Sequence, residues 1–240
     1  MIHLSPRLMC AVKYVRPGVL LADVGTDHAY LPIYLCQKRI LTPVQTPNGE
    51  LLSAIASDIN KGPVERAEQH IRTERLSGHI KTVCTDGLNG LEIYAPKTVV
   101  VFGMGGELIV SILEAAPWIQ AEGVRLILQP MTHPEKLREA LPRMGFAVTG
   151  ESLSAEGDRI YRVICADYAP ECAEPPKSLA EALTGCLYSP EEKQLHRRLI
   201  EQAIKKESRA RNARNLAGQD TAAADALLAS LRIQLENLGR

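Results

Sequence analysis

Leu20-Leu21-Ala22-Asp23-Val24-Gly25 and Ala54-Ile55-Ala56-Ser57-Asp58 are two short apolar runs, one closing on a glycine turn and the other on a carboxylate. In open α/β folds, a glycine turn after the first strand and an acid ending the second hold a nucleotide's backbone and its ribose hydroxyls. Together the two runs predict a nucleoside-containing cofactor.

From Leu4 to about Tyr168, β-branched runs alternate with amphipathic segments, the pattern of a parallel sheet covered by helices. Strands are expected at Val19–Val24, Ala54–Asp58, Ile80–Cys84, Thr98–Phe102 and Leu126–Leu128. Helices are expected at Tyr30–Arg39, at Pro63–Leu76 closed by Gly78, at Glu107–Ala115, and at Pro134–Met144 closed by Gly145. Ser5, with Pro6 in the opening position, predicts a further helix at the start that ends near Pro17-Gly18. Phe146–Ser154 and Arg159–Ala166 are separated only by Ala155-Glu156-Gly157-Asp158, which is too short for a crossover helix, so these two runs must be antiparallel. Between the first two strands, Ile40–Ser53 carries Pro43, Pro47 and Asn48-Gly49, the turn chemistry of a projecting hairpin or loop.

Glu171–Pro176 reads as a linker that separates residues 1–168 from a helical segment, residues 177–240. Ser189-Pro190-Glu191-Glu192 is a capping box with proline in the opening position, so a helix starts there, and Gly218 ends it. Leu228, Leu231, Leu235 and Leu238 recur at three-four-three spacing and place an apolar seam on a second helix, giving an antiparallel hairpin. The first of these helices is basic: eight Lys and Arg residues against two acids between Lys193 and Arg214, a local charge of +6. That face is either solvated or binds an anionic polymer.

Formal net charge over the 240 residues is zero, so the molecule as a whole is not an electrostatic trap for nucleic acid. With 45% hydrophobic residues the chain can bury a full core. No apolar run reaches the ~18 residues of a membrane span, and Met1–Arg7 lacks the start of a signal peptide, which leads to an expected cytoplasmic location. The six cysteines, Cys10, Cys36, Cys84, Cys165, Cys172 and Cys186, show no Cys-x-x-Cys spacing. They are expected to be reduced core thiols, and no metal site is expected.

Two chemical features stand out. Thr98–Glu107 contains a second glycine turn, Gly103-Met104-Gly105-Gly106, again between a strand and a helix. A nicotinamide dinucleotide site fits it poorly, because Gly-x-Gly-x-x-Gly is incomplete and the turn follows the fourth strand. Asp58 and Asp86-Gly87 place carboxylates at one edge of the sheet, where Asp58 can accept from two ribose hydroxyls and Asp86 from an adenine amino group.

Leu4-Ser5-Pro6-Arg7-Leu8, Ala22–Pro32 with its Asp-His-Ala-Tyr-Leu-Pro run, Gly103–Gly106 and Leu126-Ile127-Leu128-Gln129-Pro130 resemble the TrmK family of bacterial tRNA (adenine-N1)-methyltransferases acting at tRNA position 22. The resemblance extends over nearly the whole chain. It agrees with five parallel strands followed by an antiparallel hairpin, the order of a Rossmann-like class I methyltransferase sheet, and it implies a C-terminal coiled coil. It further implies S-adenosyl-L-methionine as methyl donor and tRNA as partner; no membrane partner is expected, and the oligomeric state is open with a monomer favoured. Carried over by motif, Gly25, Thr26, His28, Gly103, Met104 and Gly105 surround the methionine half of the donor, and Asp23 and Gln129 are further cofactor-binding candidates. Asp58 and Asp86 hold its adenosine half, beside Ile59 and Gly87 as further cofactor-binding candidates. Asp27 would stabilise charge on the methylated adenine, with His28 either filling that role or orienting the loop; Tyr30 would stack on the base or belong to the core, and Arg7 would bind the substrate. Lys205, Lys206, Arg209 and Arg211 would contact phosphates. The chain departs from the family in keeping one glycine of the usual Gly-x-Gly, in Met131 after Gln129-Pro130, and in the length of Ile40–Ser53. A non-catalytic RNA or S-adenosylmethionine adaptor, and a methyltransferase for a small molecule or protein, remain as alternatives.

Overall fold

The computed structural model describes residues 2–239; Met1 and Arg240 lie outside the described residues. The elements, in chain order, are α1 (Pro6–Val12), β1 (Leu21–Val24), α2 (Tyr30–Gln37), β2 (Val44–Gln45), β3 (Leu51–Leu52), β4 (Ala54–Asp58), α3 (Lys61–Thr73) and β5 (Ile80–Cys84). They continue as β6 (Thr98–Met104), α4 (Gly106–Glu114), β7 (Arg125–Pro130), α5 (Pro134–Arg143), β8 (Phe146–Glu156) and β9 (Arg159–Tyr168), and finish with α6 (Leu179–Thr184), α7 (Lys193–Leu216) and α8 (Ala222–Gly239). Seven strands form one sheet in the order β5-β4-β1-β6-β7-β9-β8. The first five are parallel, and β9 pairs antiparallel with both β7 and β8.

β1 lies at the centre with all four residues buried, as a strand covered on both faces requires. Ala22 and Val24 point into a core shared with α4 and α5, while Leu21 points into one shared with α1, α2 and α3. The chain order reverses beside β1, with β4 on one side and β6 on the other, so their carboxyl ends flank a crevice. Val44 pairs antiparallel with Leu52 in the small β2–β3 hairpin, which is how Ile40–Ser53 projects from the sheet.

The structure corrects several element boundaries. α1 stops at Val12 instead of running toward Pro17, and the hydroxyl of Ser5 caps nothing. The chain beyond it is drawn onto the sheet: Tyr14 hydrogen-bonds Ser152 at 2.9 Å, and Arg16 donates to the Lys97 carbonyl at 3.0 Å. α3 ends at Thr73 because Arg75 turns left-handed (φ 59°) and the Leu76 amide returns to the Ile71 carbonyl at 2.9 Å, so Gly78 is not its stop. Three of the six free cysteines are not core thiols. Cys84 ends the edge strand β5, which has a neighbouring strand on one side only, and Cys172 and Cys186 lie in exposed connecting turns.

The C-terminal helices pack around Ala180, Ile200 and Leu231, with Leu227, Leu235 and Leu238 against them. The short α6 between the expected linker and the capping box was not foreseen from sequence. It docks on the sheet through a buried ion pair, in which Arg138 of α5 donates to Glu151 of β8 at 2.9 Å and to the Ala182 carbonyl at 3.0 Å. The second Glu151 oxygen accepts from the amides of Cys186 (2.8 Å) and Leu187 (3.0 Å). A buried charge pair persists when its remaining hydrogen-bonding capacity is filled, and here backbone groups of the α6–α7 connection fill it. Glu192 completes its capping box on Ser189 and also accepts from the Leu153 amide at 3.0 Å, tying the start of α7 to β8.

Candidate active site

A cleft of about 130 Å³ opens at the carboxyl ends of β1, β4, β5 and β6, lined by Val24, Gly25, Asp58, Ile59, Thr85, Asp86, Gly87, Met104, Leu108 and Ile112. Six of these, Gly25, Asp58, Ile59, Asp86, Gly87 and Met104, are residues expected from sequence. The remaining four come from β1, from the turn after β5 and from one face of α4. Leu108 and Ile112 are four apart on that helix, so the turn after Gly103–Gly106 does more than approach a ligand: its helix supplies the apolar wall.

The cleft joins an apolar slot to carboxylate groups. Ile59 and Leu108 expose 59% and 53% of their surface at the lip of the cleft, apolar area against which a flat ligand could pack. Asp58 takes the amide of Asn60 at 2.8 Å on one carboxylate oxygen, which leaves the other with no protein hydrogen bond among the described residues. Asp86 is exposed, and its carboxylate has no protein partner among them. Two carboxylates beside an apolar slot match hydroxyl and amino donors on a flat aromatic ligand.

At the glycine turns, several backbone amides are taken up by the protein itself. The amides of Gly25 and Thr26 both donate to the Ser57 carbonyl, at 2.8 and 2.9 Å, and that of Gly103 donates to the Gln129 side chain at 3.2 Å. Gly25 is needed for space: φ is +76°, and a Cβ there would lie 2.2 Å from the Met104 methyl. A Cβ on Gly106 would lie 2.2 Å from the His133 carbonyl oxygen, so that glycine sets how closely α4 approaches the β7–α5 loop.

Other expected residues fall outside the cleft lining. Asp23 is buried beneath the turn, and burial pushes its carboxyl up to about 6, opposed by a hydrogen bond with Thr26. Thr26 also accepts from the Ala29 amide at 3.0 Å and so closes the turn before α2. Gln129 is fully buried and acts as a clamp, accepting from Gly103 and donating to the Pro130 carbonyl at 3.1 Å. Asp27 faces α3, where Arg66 binds it through Nε at 3.1 Å and through a second guanidinium nitrogen, and His28 Nε2 lies 3.1 Å away. The hydrogen bond from Arg66 holds the Asp27 carboxyl below its usual range.

His28, Tyr30 and His70 present three nearly parallel rings with centroids 4.9 to 5.5 Å apart. Arg66 and His70 went unnoticed in the sequence because only the packing of α3 against the β1–α2 turn makes them neighbours of Asp27 and Tyr30. Gly105 caps α4. On α7, Lys205, Lys206 and Arg209 are exposed and enter no ion pair among the described residues. Arg211 is bound to Asp225 of α8 at 2.9 Å, which separates it from the other three. Among the described residues no cluster of His, Cys, Asp or Glu could hold a metal ion, and no helix is long and apolar enough to cross a membrane.

A five-stranded parallel sheet closed by an antiparallel hairpin, with a cleft at its switch point and acids ending β4 and following β5, defines a Rossmann-like class I methyltransferase fold. The chain belongs to the methyltransferase domain family, which matches residues 4–164. It is 34% identical over 166 residues to the tRNA (adenine(22)-N(1))-methyltransferase of Bacillus subtilis; the match covers 69% of this chain and 66%, just under two thirds, of that protein. The crystal structure of the B. subtilis m1A22 tRNA methyltransferase TrmK aligns with a TM-score of 0.74 at 29% identity, over 100% of this chain and 98% of that one. Sp1610 of Streptococcus pneumoniae, solved in complex with S-adenosyl-L-methionine, aligns with a TM-score of 0.76 at 25% identity, over 98% of this chain and 100% of that one.

Proposed function

We propose that this chain transfers the methyl group of S-adenosyl-L-methionine to N1 of an adenine in tRNA, at position 22. The observation that carries the reading is the pairing of Asp58 and Asp86 around an apolar slot in a fold that aligns from end to end, helical tail included, with a tRNA m1A22 methyltransferase. Asp58 would accept from the ribose hydroxyls and Asp86 from the adenine amine of the donor, whose ring would lie between Ile59 and Leu108. When bound, S-adenosylmethionine supplies an electrophilic methyl.

Adenine N1 has an in-plane lone pair and needs no base to activate it, so the work of the protein is alignment and electrostatics. Positive charge appears on the adenine as N1 is methylated. Asp27, kept ionised by Arg66, is the acid proposed to stabilise that charge, with Tyr30 offering its ring to the acceptor base. Residues 1–168 would form the catalytic domain. Residues 177–240 would grip the tRNA, Lys205, Lys206 and Arg209 meeting phosphates along α7.

The test incubates the protein and S-adenosylmethionine carrying a labelled methyl group with unmodified tRNA transcripts, with small nucleosides and with protein. Label in tRNA alone supports the reading. Binding of tRNA without transfer would make the chain an adaptor, and label in nucleosides or protein would replace tRNA as substrate.

A further inference from the structure

Arg7 stands where a charge is missing. It is the second residue of α1, half-buried, and forms no ion pair among the described residues. Its guanidinium carbon sits 5.6 Å from the centre of the Tyr161 ring, and one of its terminal nitrogens is 3.9 Å from where a Cβ on Gly103 would be. A partly desolvated guanidinium stacked on an aromatic face keeps its five donors oriented in one plane, and these match the oxygens of an anion. Among the described residues nothing supplies that anion.

Topology places the pair at the active edge. Leu128 of β7 lies opposite Ile164 of β9, and continuing this antiparallel register by three residues brings Tyr161 level with Met131, just beyond the carboxyl end of β7. Tyr161 is therefore a β9 residue on the rim that carries the Gly103–Gly106 turn. The adenosine cleft lies on the β4, β5 and α4 side of that turn, whereas Arg7 and Tyr161 lie on the β7 and β9 side and do not line it. An anion bound there belongs to whatever enters opposite the donor.

We infer that Arg7 and Tyr161 form an anion seat on the acceptor side of the cleft, which takes a phosphodiester next to the nucleotide presented for methylation, with Tyr161 acting as the positioning residue that orients the guanidinium. The assignment rests on the proposed transfer to RNA. The other anion that could reach this rim is the carboxylate of the methyl donor, and the two sources respond to different titrations.

Arg7→Ala, Arg7→Lys, Tyr161→Leu and Tyr161→Phe in the full chain, each checked for an unchanged melting temperature, test the seat. Arg7→Ala is expected to weaken binding of an unmodified tRNA transcript about tenfold or more. It should also lower the salt slope of that binding by about 0.7 to 0.9, the share of one phosphate contact. The KM for tRNA should rise more than kcat falls, and calorimetric affinity for S-adenosylmethionine should stay within about twofold. Arg7→Lys should recover only part of the loss, since a point charge replaces a planar fork. Tyr161→Leu should weaken tRNA binding about threefold, and Tyr161→Phe, which keeps the ring face, by less.

Loss of S-adenosylmethionine affinity with tRNA binding intact would overturn the inference in favour of the donor's carboxylate. Unchanged binding of both would reduce the pair to packing. If the wild-type protein transfers no methyl to tRNA, the functional reading fails on its own, and the comparison of tRNA affinity between wild type and Arg7→Ala still decides the seat: equal affinities refute it.

Discussion

Replacing Asp23 with asparagine should stabilise the protein, and only above a defined pH. Asp23 lies in the central strand with 8% of its surface exposed, and burial raises its carboxyl from 3.8 to about 6. In the folded state this acid is easier to protonate than in the unfolded chain. Between pH 4 and 6 the native state therefore binds more protons, and stability falls as pH rises through that window. Below both values the carboxyl is protonated in either state and contributes no loss. Above pH 6 the full difference applies: a shift of about two units at about 1.4 kcal/mol each, some 3 kcal/mol of native-state destabilisation. Asparagine has nearly the same shape and carries no charge, so Asp23→Asn should recover about 1 to 3 kcal/mol at pH 7.5 and almost nothing at pH 3.5 to 4. Urea unfolding of both proteins across pH 3.5 to 8 measures this directly. A stability difference that is constant with pH, or one in which the wild type gains stability as pH rises from 4 to 6, would refute the assignment of a buried, destabilised carboxylate. If the turn it supports is part of the donor site, the same substitution will also alter cofactor affinity, so a residue retained at a cost to stability would have a functional reason.

Three further outcomes are expected. Asp58→Ala should weaken S-adenosylmethionine binding at least tenfold, because it removes a charged acceptor worth about 1.5 to 3 kcal/mol per hydrogen bond; it also strips the Asn60 amide of its partner, so calorimetry should be read beside a melting curve, and unchanged affinity in the folded variant would reject the ribose assignment. Neutralising Lys205, Lys206 and Arg209 together should lower the salt slope of tRNA binding by up to about 2 to 3 without changing cofactor affinity, whereas neutralising Arg211 should mainly loosen the α7–α8 pairing through Asp225; an unaltered slope for the triple variant would turn that face toward solvent. Asp27→Asn should slow the single-turnover methyl step about a hundredfold, comparable to removing one preorganised group from a charge-stabilising site, and a normal rate would leave Asp27 as the partner of Arg66 and nothing more.

What the sequence disclosed was local. β4 and β5 fall at the expected residues, both strands of the antiparallel hairpin start where expected and run two residues longer, and the capping box forms at Ser189, because each is written in periodicity or in a fixed offset of three residues. Asp58, Asp86 and the glycine turns were legible for the same reason: strand-end chemistry is adjacent in sequence. The rest depends on distant packing. Leu108 and Ile112 look like any apolar face of a helix until the sheet order places α4 over the cleft. Arg66 meets Asp27 from 39 residues away, and the joint of Arg138, Glu151 and the Cys186 amide joins three separate segments. The early end of α1 is likewise set by hydrogen bonds from Tyr14 and Arg16 to other elements, which no window of neighbouring residues contains.

Transfer of a labelled methyl from S-adenosylmethionine to an unmodified tRNA transcript, followed by mapping of the modified nucleotide, tests the central claim most directly. The account predicts one methyl per tRNA, at N1 of adenine 22, and none in a transcript carrying guanine at that position. Methyl on another nucleotide, equal incorporation into both transcripts, or tRNA binding with no transfer would contradict it.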